Sequence, residues 1–343
     1  MVILVFLLIV AAAGTYYYYL QLLDPVAPEA ADQTTTVDIP PGANTEIIAA
    51  ILYDEGLIQN ELAFRFFVRQ YNLAQGFIAG RYELNPAMSL GQIVRKIQSG
   101  DVYVETVWFT IPEGYTIEQI AGRLEQQGLI NGNQLLEAAE NPKPEWKEKY
   151  PFLQEIDHPG IKYKLEGYLF PDTYEISADT GLNEIIDMML RRTDQIINQE
   201  YRQRMEEKGL SLHEILTIAS LVEREARVDH ERSLIAGVIY NRLEIDQLLQ
   251  IDATIQYILE ETKEFLTYDD LEVDSPYNTY QHAGLPPGPI AAPGEASIKA
   301  ALYPEDSDYF FYNYKYDESG EHYFSHTYEE HLENVRKAEE NLD

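Results

Sequence analysis

The chain has 343 residues, 45% of them hydrophobic and 12% aromatic, enough to bury a sizeable core and to form two domains. It has no cysteine, which excludes a disulfide framework, a thiolate metal site and a cysteine nucleophile. The net charge of −33 repels phosphate backbones and argues against nucleic acid as a partner, and its spread along the chain points to a solvated acidic surface rather than a disordered tail.

Residues 1–23 carry no charge before Asp24 and are long enough to form a transmembrane anchor, since about 20 helical residues cross the hydrocarbon core. The run Tyr16–Tyr19 suits the headgroup belt, where amphipathic rings settle. A cleaved signal peptide is the rival reading, weakened by the absence of a basic leader. The first Lys or Arg is Arg65, so charge does not set the orientation. Residues 24–37, rich in Pro, Ala and Thr, read as an extended linker.

An internal repeat follows. Residues 39–58 (IPPGANTEIIAAILYDEGLI) and 111–130 (IPEGYTIEQIAGRLEQQGLI) align without a gap, with 10 of 20 positions identical. Each copy predicts a short strand, a Pro-x-Gly turn, an amphipathic helix and a glycine stop. In the second copy Ile117, Ile120, Ala121 and Leu124 form the apolar stripe, and Thr116 stands where a side-chain oxygen caps the helix. With Gly80–Gly100 as a further strand and helix, residues 38–105 form a strand–helix–helix–strand module. It is either duplicated scaffold or a glycan-binding platform of the LysM kind. Residues 106–343 form a larger mixed α/β domain, so the fold class is α+β.

The helix through Ile215–Ala226 raises a specific question. Stepping about 100° per residue, Glu223 and Glu225 both fall within its apolar arc, near opposite edges, while Thr217, Ser220, Arg224 and Arg227 share the polar arc. A carboxylate on a buried face is either paired, with Arg224 and Arg227 as local candidates, or holds a raised pKa and serves as a general acid. Pattern alone leaves both open. Downstream, Asn241, Gln250, Asp252, Tyr277, Asn278, Thr279 and Tyr280 supply groups that hydrogen-bond sugar hydroxyls or stack on sugar rings, and equally groups that brace a fold. Gly284–Gly294 holds four prolines and three glycines and predicts a shaped loop, a candidate cleft wall. His322, His326 and His331 have spacings that suit no single zinc-binding element. Asp269, Asp270, Glu272 and Asp274 lack the calcium-loop glycine. No metal and no cofactor is expected.

Four segments, Leu165–Ile176, Ile218–Leu243, Tyr277–Leu302 and His322–His331, resemble the MltG/YceG-like endolytic murein transglycosylases. The resemblance extends to the anchor and the LysM-like module. It implies a single-pass bacterial membrane protein with its catalytic domain on the extracytoplasmic side. Such an enzyme cuts the β-1,4 bond between N-acetylmuramic acid and N-acetylglucosamine in nascent peptidoglycan, leaving 1,6-anhydro ends and terminating strand growth. By the same resemblance Glu223 is the single catalytic glutamate, and Glu166 and Tyr168 are residues that line or brace the cleft; Glu225, beside it on the helix, is the expected supporting partner that tunes it. Peptidoglycan glycan strands are then the substrate, and peptidoglycan synthases are candidate partners. The alternative is a membrane-anchored peptidoglycan-binding scaffold with little or no turnover.

Overall fold

A computed structural model describes residues 2–156, 158–261, 263 and 266–342. The chain divides into two compact units, 1–105 and 106–343. Helices and strands are both present, and the strands form three separate antiparallel pairs.

The first unit opens with α1 (Val2–Gln21), of which Ile3–Gln21 is long and apolar enough to cross a membrane and has no buried residue in its most apolar stretch. Residues 24–37, expected as an extended linker, instead make turns up to 34 and then enter the first strand. Ala27 N–H donates to the Pro86 carbonyl at 2.9 Å, and Ala30 is buried. Then come β1 (Thr35–Ile39), α2 (Thr45–Asp54), α3 (Glu61–Gln70), β2 (Gly80–Leu84) and α4 (Leu90–Ser99). β1 and β2 pair with Val37 opposite Tyr82, and both alternate exposed and buried residues. Their inner faces close a core with Ile48, Leu52, Phe64, Ile93 and Ile97.

The second unit runs β3 (Thr106–Thr110), α5 (Ile117–Gln126), α6 (Gly132–Glu140), α7 (Pro144–Lys149), β4 (Thr173–Ser177), α8 (Leu182–Ile196), α9 (Gln199–Lys208) and α10 (Leu212–Glu225). It continues with α11 (Arg232–Glu244), α12 (Asp252–Leu259), α13 (Tyr268–Leu271), α14 (Glu295–Leu302), β5 (Phe311–Tyr314), β6 (His322–Ser325) and α15 (Tyr328–Glu340). The two repeat copies form the same local structure. Asn44 and Thr116, at equivalent positions, each cap their helix through a side-chain oxygen. Gly42 and Gly114 take φ of 77° and 75°, a left-handed conformation the turn requires. The predicted stripe Ile117, Ile120, Ala121 and Leu124 is buried. At the centre, α10 is buried from Ile215 to Val222 and packs against α11, α12 and α14.

One fold element rests on an unusual buried carboxyl. Glu166 is fully buried below the α5 N-terminus, where Ile117 N–H reaches both its oxygens at 3.2 Å and the Tyr257 hydroxyl donates to Oε2 at 3.3 Å. Burial pushes its carboxyl up to about 8, against an ordinary 4.5. The folded state therefore holds a proton that the unfolded state releases above pH 4.5, and stability falls as pH rises between 4.5 and about 8. Glu166→Gln is expected to flatten that fall by about 1.4 kcal/mol per pH unit. Urea titrations from pH 5 to 8, followed by Trp108 and Trp146 fluorescence, measure it. An unchanged slope would refute the assignment.

Candidate active site

The last turn of α10 presents two glutamates to opposite sides. Glu223 points at the α14 N-terminus. Its Oε2 accepts from the Gly294 N–H at 3.0 Å and the Ser297 hydroxyl at 2.8 Å, and lies 3.3 Å from the Arg232 guanidinium. The Glu223 side chain is 7% exposed and that of Arg232 12%, so this is a buried ion pair. The expected local partners go elsewhere. Arg224 donates to the Gly114 carbonyl and Gln256, and the Arg227 guanidinium lies over the Tyr314 ring at 4.6 Å. Arg232, at the start of α11, can reach Glu223 because α10 and α11 pack against each other.

The polar arc of α10 is equally occupied. His213 Nε2 lies 2.7 Å from the Pro287 carbonyl, and the Ser220 hydroxyl accepts the Ile290 N–H at 3.0 Å. Together with the Glu223–Gly294 bond, these contacts lay the Pro/Gly loop along the helix. The loop's far side is clamped by the second repeat's turn. Gly114 N–H donates to the Ala292 carbonyl, and Ala292 N–H to the Tyr115 carbonyl, both at 2.8 Å. That turn brings in Glu113, whose carboxyl is pushed up by burial and by the charge of Glu223. A Cβ on Gly294 would meet Glu113 Oε1 at 1.9 Å, so the Glu113 carboxyl lies directly against this stretch of backbone. Sequence reasoning missed Glu113. The signal was the repeat itself, which has Pro41 in one copy where the copy beside α10 has an acid.

Glu225 faces the other way, into a cleft of about 410 Å³ that it lines with Gln250, Asp252, Tyr280, Tyr312 and Tyr314. Arg242, Asn313, His322 and further aromatic rings complete the walls. The Ala253 N–H, in the first turn of α12, and the Tyr312 hydroxyl stand beside the Glu225 carboxyl and favour its charged form. Burial, followed by the charge of Asp252, still pushes that carboxyl up to about 7. The Tyr280 hydroxyl donates to Asp252 and orients it. A carboxyl poised near neutrality on the wall of an aromatic cleft can give and take a proton beside a bound sugar.

The structure thus brings together four sequence-derived candidates, Glu225, Gln250, Asp252 and Tyr280. The others lie outside the cleft wall. Asn278 is buried, its amide donating to the carbonyls of Leu271 and Val273 at 3.0 and 2.8 Å. Thr279 is buried against Ile251 and Thr254, and Tyr277 packs on Tyr257. Asn241 donates to the carbonyls of Ser307 and Tyr309. The Tyr168 hydroxyl pairs with His213 Nδ1 at 2.9 Å, and Glu166 sits under α5. Of the three histidines, His322 and His331 line the cleft, and each has its own partner. His322 pairs with buried Glu231 at 2.7 Å, His326 with Glu330, and His331 stacks on Phe311. Missed were Phe311, Tyr312 and Tyr314 of β5, which lie in the aromatic run Tyr309–Tyr316. The signal was a strand aromatic on both faces, more than a single buried face needs.

The sequence matches the YceG-like family over residues 37–337. It is 38% identical over 316 residues to the endolytic murein transglycosylase of Bacillus subtilis (strain 168), covering 90% of this chain and 86% of that one. It is 36% identical over 335 residues to the endolytic murein transglycosylase of Streptococcus pneumoniae (serotype 2, strain D39), spanning 92% of this chain and 60% of that longer relative. A crystal structure of a yceG-like protein from Listeria monocytogenes superposes with a TM-score of 0.62 at 41% identity, over 88% of this chain and 99% of that one.

Proposed function

The chain belongs to the YceG-like family, and from that premise we propose that it is an endolytic lytic transglycosylase of peptidoglycan, anchored by α1. It cuts the β-1,4 bond between N-acetylmuramic acid and N-acetylglucosamine within glycan strands and so terminates their growth, with the second unit on the extracytoplasmic side. The names of the relatives support the reaction class. The LysM-like reading of residues 38–105 remains part of this proposal.

We assign the acid to Glu225 and reverse the roles expected from the sequence. The observation that carries this is the Glu225 carboxyl, lining the aromatic cleft and pushed up to about 7, while the Glu223 Oε2 atom is held by Gly294, Ser297 and Arg232. Ordinary glycosidases need two carboxyl groups at the scissile bond. Here one suffices, because the substrate supplies the nucleophile. Glu225 gives its proton to the glycosidic oxygen as the muramoyl C1–O bond breaks. The resulting carboxylate takes the proton of the muramoyl C6 hydroxyl as that oxygen bonds to C1. The products are a 1,6-anhydromuramoyl end and a free N-acetylglucosamine 4-hydroxyl, with no water consumed. Tyr280 and Asp252 hold Glu225's environment, and Tyr312 and Tyr314 offer ring faces to sugars. Glu223, through Gly294, holds the loop and helps position the end of α10.

The test is mass spectrometry of uncrosslinked glycan strands incubated with the detergent-solubilised full chain. Anhydro ends from wild type support the reaction. Hydrated reducing ends would mean a hydrolase. No product from a folded, membrane-reconstituted protein would favour the scaffold.

A further inference from the structure

We propose that the outward face of α3 lies on the membrane surface beside α1, with Arg65 and Arg69 among the phosphates of anionic phospholipids. The proposal rests on the reading of α1 as a membrane span.

The sequence of α3, ELAFRFFVRQ, has two unlike faces. Ala63, Phe64 and Val68 are buried in the core of the first unit. Leu62, Arg65, Phe66 and Arg69 follow at i, i+3, i+4 and i+7 and share the opposite face. That face is apolar and basic together. Leu62 is 69% exposed and Phe66 55%, and Tyr71, just beyond the helix, is exposed as well. A groove of about 420 Å³ runs beside them, lined by Thr45, Leu62, Arg65, Phe66, Arg69 and Asn72. In a chain of net charge −33, the first two basic residues stand here. Arg65 reaches Glu46 at 2.5 Å, and both side chains remain exposed, within reach of a competing phosphate.

The position of α1 fixes where this face goes. The Tyr19 ring meets Phe66 edge-on at 5.0 Å between centroids, and its hydroxyl donates to Gln70 at 3.4 Å. The end of α1 is tied to the unit. The Gln59 amide donates to the carbonyls of Gln21, Asp24 and Pro25 at 3.2, 3.1 and 3.3 Å, and Leu90 N–H donates to the Leu23 carbonyl at 3.1 Å. The run Tyr16–Tyr19 closes α1 with four amphipathic rings, which settle at the acyl–headgroup boundary. A spanning α1 therefore keeps Tyr19 near the acyl–headgroup boundary, and Phe66, in contact with it, sits there too. Leu and Phe at that depth with Arg beside them is the composition of an interfacial helix, and the basic residues select anionic lipid. A second copy of the chain would cover the apolar residues equally well, but would bring a strongly acidic surface rather than phosphates to the arginines' side of the bilayer.

The absence of cysteine allows single spin labels on the full chain. Val10→Cys, Leu62→Cys and Glu83→Cys variants, labelled with a nitroxide, are reconstituted into nanodiscs of phosphatidylcholine or a phosphatidylcholine–phosphatidylglycerol mixture. Collision with oxygen and with a water-soluble nickel chelate reports depth. The expected result in the mixture is a label at 62 shielded from nickel, like that at 10 and unlike that at 83. Adding Arg65→Glu and Arg69→Glu should raise nickel access at 62 several-fold in the anionic discs and leave Val10→Cys unchanged. A label at 62 as wet as that at 83, with that at 10 in lipid, overturns the proposal alone. A wet label at 10 removes the span and the proposal with it. Dipolar broadening at 62 would place a second copy on this face and overturn the lipid assignment.

Discussion

Glu225→Gln is expected to lower turnover by about 10²–10⁴-fold or more, the usual worth of a general acid–base group, with folding intact. Glutamine is isosteric, and it keeps an oxygen facing the Ala253 N–H and the Tyr312 hydroxyl beside it. Glu223→Gln should cost less, because its carbonyl still accepts from Gly294 and Ser297. The reverse order, a dead Glu223→Gln beside an active Glu225→Gln, would return the acid to Glu223. The pH profile gives a second readout. The acid must be protonated to act, so kcat/KM should fall as pH rises through about 7. The charge of Asp252 is part of what raises that group, so Asp252→Asn should move the descending limb to lower pH. A limb that stays in place in the variant would show that Asp252 does not act on the proton in transit.

These expectations mark where the sequence was legible. Local devices read directly. The repeat predicts its own strand, turn, cap and stripe, because each rests on residues within a few positions of one another, and both copies fold as their spacing requires. The α10 wheel correctly placed Glu223 and Glu225 on different sides, but it could not say what covers each side. Thr217 and Ser220, on the polar arc, are buried, because a loop about 70 residues further on lies against this side of the helix. For Glu223 the pattern left pairing and acid chemistry open, and the guanidinium that reaches it arrives on the next helix. The run Tyr277–Tyr280 shows the same limit at finer scale. Adjacent polar residues are indistinguishable by type, yet Asn278 and Thr279 turn inward to satisfy buried partners while Tyr280 reaches the cleft. Polar density marks a region that needs hydrogen bonds. Only the fold decides whether backbone or ligand receives them.

The largest expected loss of stability comes from the same arrangement. Arg232→Met should destabilise the second unit by about 3–5 kcal/mol, the cost of stranding a buried charge when its partner is removed. Arg232 also donates to the Ser297 hydroxyl at 2.6 Å, so one substitution loosens both Glu223 and the first turn of α14. Its other partner, Asp229, is 89% exposed, and that contact is worth little. The effect should therefore be assignable to Glu223 by a double-mutant cycle. Adding Glu223→Gln removes the stranded charge and should recover part of the loss, making the pair strongly non-additive. Both tryptophans, Trp108 and Trp146, lie in the second unit, so urea unfolding followed by their fluorescence reads this transition. Additive losses, or an Arg232→Met variant within about 1 kcal/mol of wild type, the range of a surface ion pair, would mean that Glu223 is not held by this ion pair. The ion pair would then no longer argue against Glu223 as the acid, and the order of the two glutamine variants alone would decide.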